Sequence, residues 1–169
     1  MIEPMQTMLD ELQQEAITTR RLLERVPGDK LSWKPHPKSM SLGQLALHVA
    51  SIPGNLARLA ELDEFDAAQA NFDPASPKSV KEVLTALDVS LGAAEEYLHR
   101  VSDTTAAGTW RLTLRGKEVF TIPRSGLLRS LMLNHWYHHR GQLSVYLRLL
   151  DVPLPVIYGR SADEDPFTS

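Results

Sequence analysis

The sequence predicts an all-α fold, a four-helix bundle with a short β-hairpin inserted before the fourth helix. Four segments carry apolar residues at helical spacing, which is typical of helices that bury one face. In the third segment the apolar residues alternate in steps of four and three, the pattern of helices packed in a bundle. Between the third and fourth segments, two short β-rich stretches flank Gly116.

The composition is that of a globular protein with no charge preference for nucleic acid. The 169 residues are 43% apolar, which is enough for one core, so we expect a single domain over residues 1–169. A net charge of −3 gives no overall attraction to nucleic acid or to an anionic membrane. No apolar run approaches a membrane span, and residues 1–5 do not resemble a signal peptide, so we expect a cytoplasmic protein.

The absence of cysteine limits the chemistry of the chain. It excludes disulfides, a thiolate nucleophile and cysteine-ligated zinc or iron–sulfur sites. Metal ligands must then come from His, Asp, Glu or water. If the reaction uses a thiol, that thiol must arrive on a cosubstrate.

The first two helices are bounded by local signals. The first is predicted over residues 4–26, where a proline and a glycine follow it. The second is predicted over residues 41–62. Ser41 and Gln44 fit a capping box at its start, and Pro53 is expected to kink it.

The middle of the chain is predicted to hold a crossover, a helix and the hairpin. Residues 63–77 are acidic and rich in turn formers, so we expect a solvated crossover. The third helix is expected to begin near residues 76–77 or at Ser79, and Ser79 could form another capping box with Glu82. The hairpin would pair residues 109–114 with residues 119–122.

The fourth helix is predicted over residues 125–150, because prolines follow shortly afterwards. Helical spacing places two histidines at the centre of its apolar stripe. The residues assigned to this inner face are Leu128, Leu131, Met132, His135, His139, Gln142, Tyr146 and Leu149.

Three histidines are predicted to lie on the inner faces of the second and fourth helices. His135 and His139 are four residues apart, so their imidazoles project from one side of a helix. His48 can complete the set if the two helices pack side by side. An unpaired buried imidazole costs roughly 1–3 kcal/mol, and the simplest shared partner for three converging rings is a divalent metal. The alternative is a set of core histidines with separate partners, and His138 is expected to be exposed or to support a ligand.

Other signals in the sequence are weaker. Glu96 and His99 have the Glu-x-x-His spacing of di-iron bundles, but that fold needs the motif twice and two further inward glutamates, which the fourth helix does not supply. Arg140 could bind an anionic substrate or form an interhelical ion pair. Trp33 and Trp110 are expected to be packing anchors.

The chain resembles the DinB-like superfamily of metal-binding four-helix bundles, which includes bacillithiol- and mycothiol-dependent transferases. The resemblance rests on the stretch around His48, at residues 41–50, and on the histidine-rich run at residues 135–143. The Trp-Lys-Pro run at residues 33–35 and the tail at residues 153–164 are also similar to members of that superfamily.

The resemblance implies an up-down-down-up bundle with a long crossover between the second and third helices. It implies a metal held by His48, His135 and His139, which can be zinc, nickel or iron, and it implies a homodimer. Three protein ligands leave a coordination position open, as in catalytic sites. The activity it favours is transfer of a low-molecular-weight thiol to an electrophilic small molecule. Gln142 and Tyr146, on the predicted inner face, are the candidates for lining the pocket and taking part in catalysis. The alternative is that they are a buried amide and an aromatic ring that packs against neighbouring helices.

Two other functions stay open at this point. The first is metal-dependent hydrolysis, although no Asp or Glu lies within one turn of His135 and His139 to act as a local general base. The second is a non-catalytic stress-response protein that binds a metal or a small molecule without turning it over.

Overall fold

A computed structural model describes residues 4–71 and 73–167, most of which are helical. The helices are α1 (Pro4–Leu23), α2 (Leu42–Ala60), α3 (Val80–Arg100), α4 (Asp103–Ala107), α5 (Arg124–Leu127) and α6 (His135–Leu149). A π-helical stretch (Leu128–Asn134) joins α5 to α6, so that the three form one continuous segment. The short helix α4 was not predicted. None of the helices in the described ranges is both long and apolar enough to cross a bilayer.

The helices α2 and α3 begin at the predicted caps. The Gln44 backbone N–H donates to Ser41 Oγ (3.2 Å), and the Ser41 N–H donates to Gln44 Oε1 (2.9 Å), which completes a capping box. The Glu82 N–H donates to Ser79 Oγ (3.2 Å). These contacts satisfy backbone donors that a helix start otherwise leaves unpaired.

The helices α2 and α3 run parallel and pack closely. The Gly54 N–H donates to Ser90 Oγ (2.8 Å), and further along both helices the Tyr97 hydroxyl donates to the Ala60 carbonyl (3.1 Å). A Cβ atom at position 54 would lie 2.7 Å from the Ser90 Cα, so this approach requires glycine. Parallel neighbours cannot be joined by a short turn, and residues 61–79 return the chain along the bundle.

The helix α6 runs antiparallel to α2. Trp136 Nε1 donates to the Val49 carbonyl (2.9 Å), whereas the later Tyr146 hydroxyl donates to the earlier Met40 carbonyl (3.3 Å). With α2 and α3 parallel, this arrangement confirms the predicted bundle order for the second, third and fourth long helices.

Two glutamates of α1 pair with arginines of the last helical segment. The Glu11 carboxylate accepts from both terminal nitrogens of Arg129 (2.8 and 2.6 Å), and Glu15 pairs with Arg140 (2.6 Å). The later glutamate pairs with the later arginine, so α1 is parallel to the last helical segment. This completes the up-down-down-up order. Arg140 is 1% exposed. Of the two roles considered for it, the interhelical ion pair is the one observed.

The tail also crosses back to α1. Glu164 forms ion pairs with Arg21 and Arg25, each at 2.7 Å. The Tyr158 hydroxyl accepts a hydrogen bond from Arg140. Residues 158–164 therefore contact both α1 and α6.

A three-stranded sheet packs beside the C-terminal end of α2, where Trp110 Nε1 donates to the Leu59 carbonyl (3.0 Å). Its strands are β1 (Glu64–Asp66), β2 (Thr109–Leu114) and β3 (Lys117–Pro123), in the order β1-β2-β3. The antiparallel β2–β3 pair confirms the predicted hairpin. Trp110 is 1% exposed and is the packing anchor that was expected.

The crossover is more ordered than predicted. Residues 64–66 form β1, which pairs in parallel with β2, a strand that the prediction of a solvated crossover did not include. The Asp66 carboxylate accepts the backbone N–H groups of Arg115 and Gly116 (2.9 and 3.2 Å), which form the hairpin turn at positive φ. Hydrogen bonds from the backbone, first from Ala68 and then from this turn, hold the pKa of Asp66 below its ordinary value.

The π-helical stretch shifts the buried face of the last helical segment by one residue. A π turn adds a residue to the α-helical repeat and so rotates every later side chain. The stripe predicted through His135, His139, Gln142 and Tyr146 is replaced by a fully buried stripe that lies one position later: Trp136, Arg140, Leu143 and Leu147.

This rotation corrects the predicted inner face. Gln142 is exposed, and Leu149 is 58% exposed, so both were wrongly placed inward. His135 and His139 are half-buried at the edge of the core. The shift therefore moves the histidine pair out of the apolar interior to a position that solvent and small molecules can reach.

Candidate metal centre

The three histidines converge between α2 and α6. His48, His135 and His139 each offer one ring nitrogen, and these atoms lie within 4.8 Å of one another. The Nε2 atoms of His135 and His139 are 2.8 Å apart. The ring of His48 lies 4.5 Å from that of His139 and 5.2 Å from that of His135, measured between centroids. Antiparallel packing places the three residues at one level of the bundle, as the prediction required.

Hydrogen bonds on the far side of two rings determine which nitrogen faces the centre. His135 Nδ1 lies 3.3 Å from the Leu131 carbonyl, and His139 Nδ1 lies 2.8 Å from Gln142 Oε1. Both partners are acceptors, so each Nδ1 carries the proton and each Nε2 keeps a lone pair. Such contacts orient histidine ligands at metal sites.

Burial favours the neutral form of all three rings. Desolvation, followed by the charges of His139 and His135, lowers the pKa of His48 from 6.5 to about 4. Desolvation also lowers the pKa of His135 and of His139, although their hydrogen bonds to Leu131 and Gln142 act in the opposite direction. Neutral imidazole is the form that binds a metal.

This donor set fits a divalent metal ion. With the proton of each neutral ring on Nδ1, the Nε2 atoms of His135 and His139, 2.8 Å apart, present two lone pairs to each other. Two such lone pairs repel unless a cation lies near both. His48 adds a third neutral nitrogen on the same side. Three imidazoles suit zinc, nickel and iron.

No other His, Asp or Glu within residues 4–71 and 73–167 joins this group. A metal held by three protein ligands keeps open coordination positions, which is the layout of catalytic zinc sites and not of closed structural ones. The residues of the weaker di-iron motif, Glu96 and His99, are exposed on α3 and are not members of the group.

A cavity of about 190 Å³ borders His48. Gln44 and Ser51 of α2 line one side of it, and crossover residues, among them Asp73 and Pro74, line the other. Gln44 Nε2 donates to the Pro74 carbonyl (3.1 Å) and holds the crossover against α2. Sequence reasoning missed this wall, because an acidic, turn-rich run gives no signal that it will fold over a helix.

The other residues considered for the site occupy distinct positions. Gln142 contacts His139 directly, whereas Tyr146 is half-buried and its ring meets Trp33 edge-on at 5.8 Å. Trp33 thus packs against α6, as expected. His138 is exposed beside His139, with its ring centroid 4.9 Å from that of His139, and is not part of the converging set.

The fold and the centre together define a class: an up-down-down-up helical bundle with three histidines placed between its second and last long helices. The profile of the DinB family matches residues 1–165, and the chain belongs to the DinB family.

Relatives and solved structures agree with this assignment. The chain is similar to the uncharacterised protein YrdA of Bacillus subtilis, with 24% identity over 164 residues, which are 97% of this chain and 93% of YrdA. The crystal structure of a DinB-like protein from Bacillus subtilis matches with a TM-score of 0.71 at 20% identity, over 91% of this chain and 99% of that one. A DinB-like protein from Bacillus cereus matches with a TM-score of 0.68 at 24% identity, over 89% of this chain and 95% of that one. These structural likenesses establish the fold.

Proposed function

We propose that this protein is a metal-dependent transferase that joins a low-molecular-weight thiol to an electrophilic small molecule. The observation that carries the proposal is the convergence of His48, His135 and His139 beside a cavity, with no fourth protein ligand in the described ranges. Open coordination positions next to a cavity are what an incoming substrate requires.

A divalent metal in this centre would lower the pKa of an incoming thiol and so supply a nucleophile at neutral pH. The chain has no cysteine, so the sulfur belongs to a cosubstrate. In the transfer, a sulfur lone pair forms the bond to the electrophilic carbon. The leaving group departs with its bonding electrons, and the thiol proton passes to water. The cytoplasm, where small thiols are kept reduced, suits this reaction.

The residues of the chain bind and orient the reacting groups. The Leu131 carbonyl and Gln142 hold the rings of His135 and His139 with Nε2 toward the centre. Tyr146 lies two helical turns beyond His139, where its ring can contact a thiol cosubstrate that extends along α6. Its hydroxyl is already bonded to the Met40 carbonyl, which supports a role in shaping the pocket.

Metal-dependent hydrolysis is the second candidate, because Asp73 lines the cavity that borders His48. A carboxylate in that position could accept a proton from a water molecule in the cavity. Asp73→Asn distinguishes the two reactions. It should abolish hydrolysis of esters and amides, and it should leave thiol consumption within about twofold of wild type, because the transfer gives its proton to water.

The test is thiol consumption with a panel of electrophiles, in protein reloaded separately with zinc, nickel and iron. The negative control replaces all three ligands with alanine, and His138→Ala is the matched control, because His138 is an exposed histidine outside the set. We expect turnover in wild type and in His138→Ala, none in the triple variant, and altered turnover with metal retained in Tyr146→Phe. If wild type equals the triple variant for every thiol and metal, the transferase proposal fails and non-catalytic binding replaces it.

A further inference from the structure

A second and larger cavity lies between α2 and α3. Its volume is about 540 Å³, within the range of small-molecule sites, and the apolar side chains of Ala86 and Val89 are among those that line it. Three of its lining residues, Ser51, Ala86 and Ser90, have short side chains. The two helices approach closely beside them, at Gly54 and Ser90. Val89, which is 60% exposed, and Asn55 stand at its sides. We name this cavity the α2–α3 groove.

The α2–α3 groove meets the cavity beside His48. Ser51 and Asn55 line both. They follow His48 by three and seven residues, so all three lie on the same side of α2. Seven residues of α-helix span about 10 Å. A molecule in the groove can therefore extend over Ser51 and Asn55 to the metal centre.

The α2–α3 groove carries cations without carboxylate partners. Arg58 and Lys81 line it, and neither forms an ion pair within residues 4–71 and 73–167. The polar partner of Arg58 is Asn55 Oδ1, at 3.4 Å. The carboxylate of Glu82 also lines the groove, but it accepts the Lys78 backbone N–H (2.7 Å) at the start of α3. Arg58 and Lys81 outnumber the single carboxylate of Glu82, so the groove has a net positive charge beside the apolar side chains of Ala86 and Val89.

We infer that the α2–α3 groove binds the body of the substrate, and that this substrate is an elongated organic anion. Its apolar part lies against Ala86 and Val89, and its carboxylate pairs with Arg58. Ten residues separate Arg58 from His48, which corresponds to about 15 Å along α2, so the opposite end of such a molecule reaches the metal centre. The reactive role of that end rests on the proposed function, whereas the binding of an apolar anion does not.

The first test measures binding without turnover. A trifluoromethyl-labelled phenylbutanoate is titrated into metal-free protein and followed by fluorine NMR, with the corresponding uncharged alcohol as a comparison. We expect the alcohol to bind at least about twofold more weakly, since an exposed ion pair contributes modestly. We expect Val89→Asp to weaken binding of the anion at least about tenfold by removing apolar contact and adding a like charge. Equal binding of acid and alcohol, or an unchanged affinity in Val89→Asp, overturns the inference.

The matched control is Val145→Asp. Val145 is a valine of α6 with 58% exposure, close to that of Val89, and it does not line the groove. Its substitution should leave affinity for the anion unchanged within about twofold; an equal loss in both variants would overturn the inference. Light scattering of the same proteins tests whether a second copy of the chain occupies the groove. A mass halved by Val89→Asp and not by Val145→Asp would identify a subunit interface and overturn the inference.

The second test examines the link to the metal centre. The same probe is added to protein loaded with manganese and to protein loaded with zinc. We expect the fluorine signal, at the end of the probe away from its carboxylate, to broaden with manganese alone. Binding without this broadening would overturn the orientation. Failure of the triple-histidine variant to differ from wild type in thiol consumption would refute the proposed function and leave the binding result standing, so the two failures are distinguishable.

Discussion

Gln142 Oε1 lies 2.8 Å from Nδ1 of His139, and this contact fixes the proton on the nitrogen that faces away from His135. Gln142 is exposed, so its side chain contributes little to the core. Its side chain instead contacts the ring of His139, one of the three converging histidines. The rotation produced by the π-helical stretch brings this face of α6 to the edge of the bundle, where such a contact can form.

We expect Gln142→Leu to lower metal affinity about 10–100-fold, because it removes the acceptor that orients His139. The dissociation constant is measured by competition with a chelator. Gln142→Glu is the control, since it keeps an acceptor at the same place and should bind metal at least as tightly as wild type. Melting temperatures without metal should be similar in all three proteins. Equal affinity in Gln142→Leu and wild type would contradict the role of this contact.

Chelation should lower the melting temperature and leave a folded bundle. The core contains apolar residues from each long helix and does not depend on the centre. A metal that binds the native state alone adds about 2.7 kcal/mol at a free concentration one hundred times its dissociation constant. Circular dichroism with and without chelator measures both effects, and the triple-histidine variant should show no response to metal. Loss of the helical signal in chelator at room temperature would show that the metal is required for folding.

The Glu11 cluster predicts how stability depends on pH. Hydrogen bonds from Arg129, and to a smaller extent from Tyr137, lower the pKa of Glu11 below 4.5, against the opposing effect of burial. A carboxyl with a depressed folded pKa stabilises the protein above its unfolded pKa, and this contribution is lost as the pH falls through the folded value. Arg129 is 42% exposed, so we expect only about 1–2 kcal/mol from the cluster.

Glu11→Gln tests this dependence. The difference in unfolding free energy between wild type and the variant should be largest near neutral pH and should shrink as the pH falls below about 4.5. Urea unfolding at a series of pH values measures it. A difference that stays constant down to acid pH would show that the charge of Glu11 is not the source of the stabilisation.

The buried Arg140 predicts a large effect from a single substitution. Its guanidinium pairs with Glu15 and donates to Thr19 Oγ1 (3.1 Å). Arg140→Met should cost about 3–5 kcal/mol, because it leaves the largely buried Glu15 carboxylate without its ion-pair partner. The double variant Glu15→Met/Arg140→Met should recover most of this loss. Denaturant unfolding of wild type, Glu15→Met, Arg140→Met and the double variant measures the loss in each single variant and the recovery in the double one. If the losses of the two single variants add up in the double variant, the two residues are not coupled.

Two glycines should respond to alanine in opposite directions. At Gly54 a Cβ would lie 2.7 Å from the Ser90 Cα, so Gly54→Ala should force α2 and α3 apart and destabilise the fold by about 1–3 kcal/mol. At Gly141, in the exposed face of α6, a Cβ meets no atom within 4 Å. Gly141→Ala should stabilise the helix by about 0.5–1 kcal/mol. Thermal unfolding compares them, and a stabilised Gly54→Ala would mean that the helices do not pack as closely as described.

Much of the fold was predictable because its signals are local. Ser41 and Ser79 cap helices through bonds to residues three positions later, and Gly116 permits a two-residue turn. The histidine pair was recognisable for the same reason, since a spacing of four residues places two rings on one side of any helix. His48 required one further assumption, that its helix packs beside the last one.

The features that sequence reasoning missed depend on contacts between distant parts of the chain. A π turn is rarely favoured by local interactions. Here the π-helical stretch begins at Leu128 and is followed by Trp136, and both side chains are fully buried in the core. Strand β1 has three residues and is stabilised by pairing with β2, whose sequence lies more than forty residues later. The wall that contains Asp73 exists because the crossover folds onto α2.

The sequence by itself determined the four long helical segments, the hairpin and the identity of the three histidines, because periodicity, capping and turn formation act over a few residues. The tertiary structure alone decided which face of α6 is buried, and with it whether His135 and His139 lie in the core or half-buried at its edge. That choice depends on one extra residue in a helical turn, which rotates all later side chains together. Such a rotation is set by packing against α1 and α2 and leaves no pattern in the local sequence.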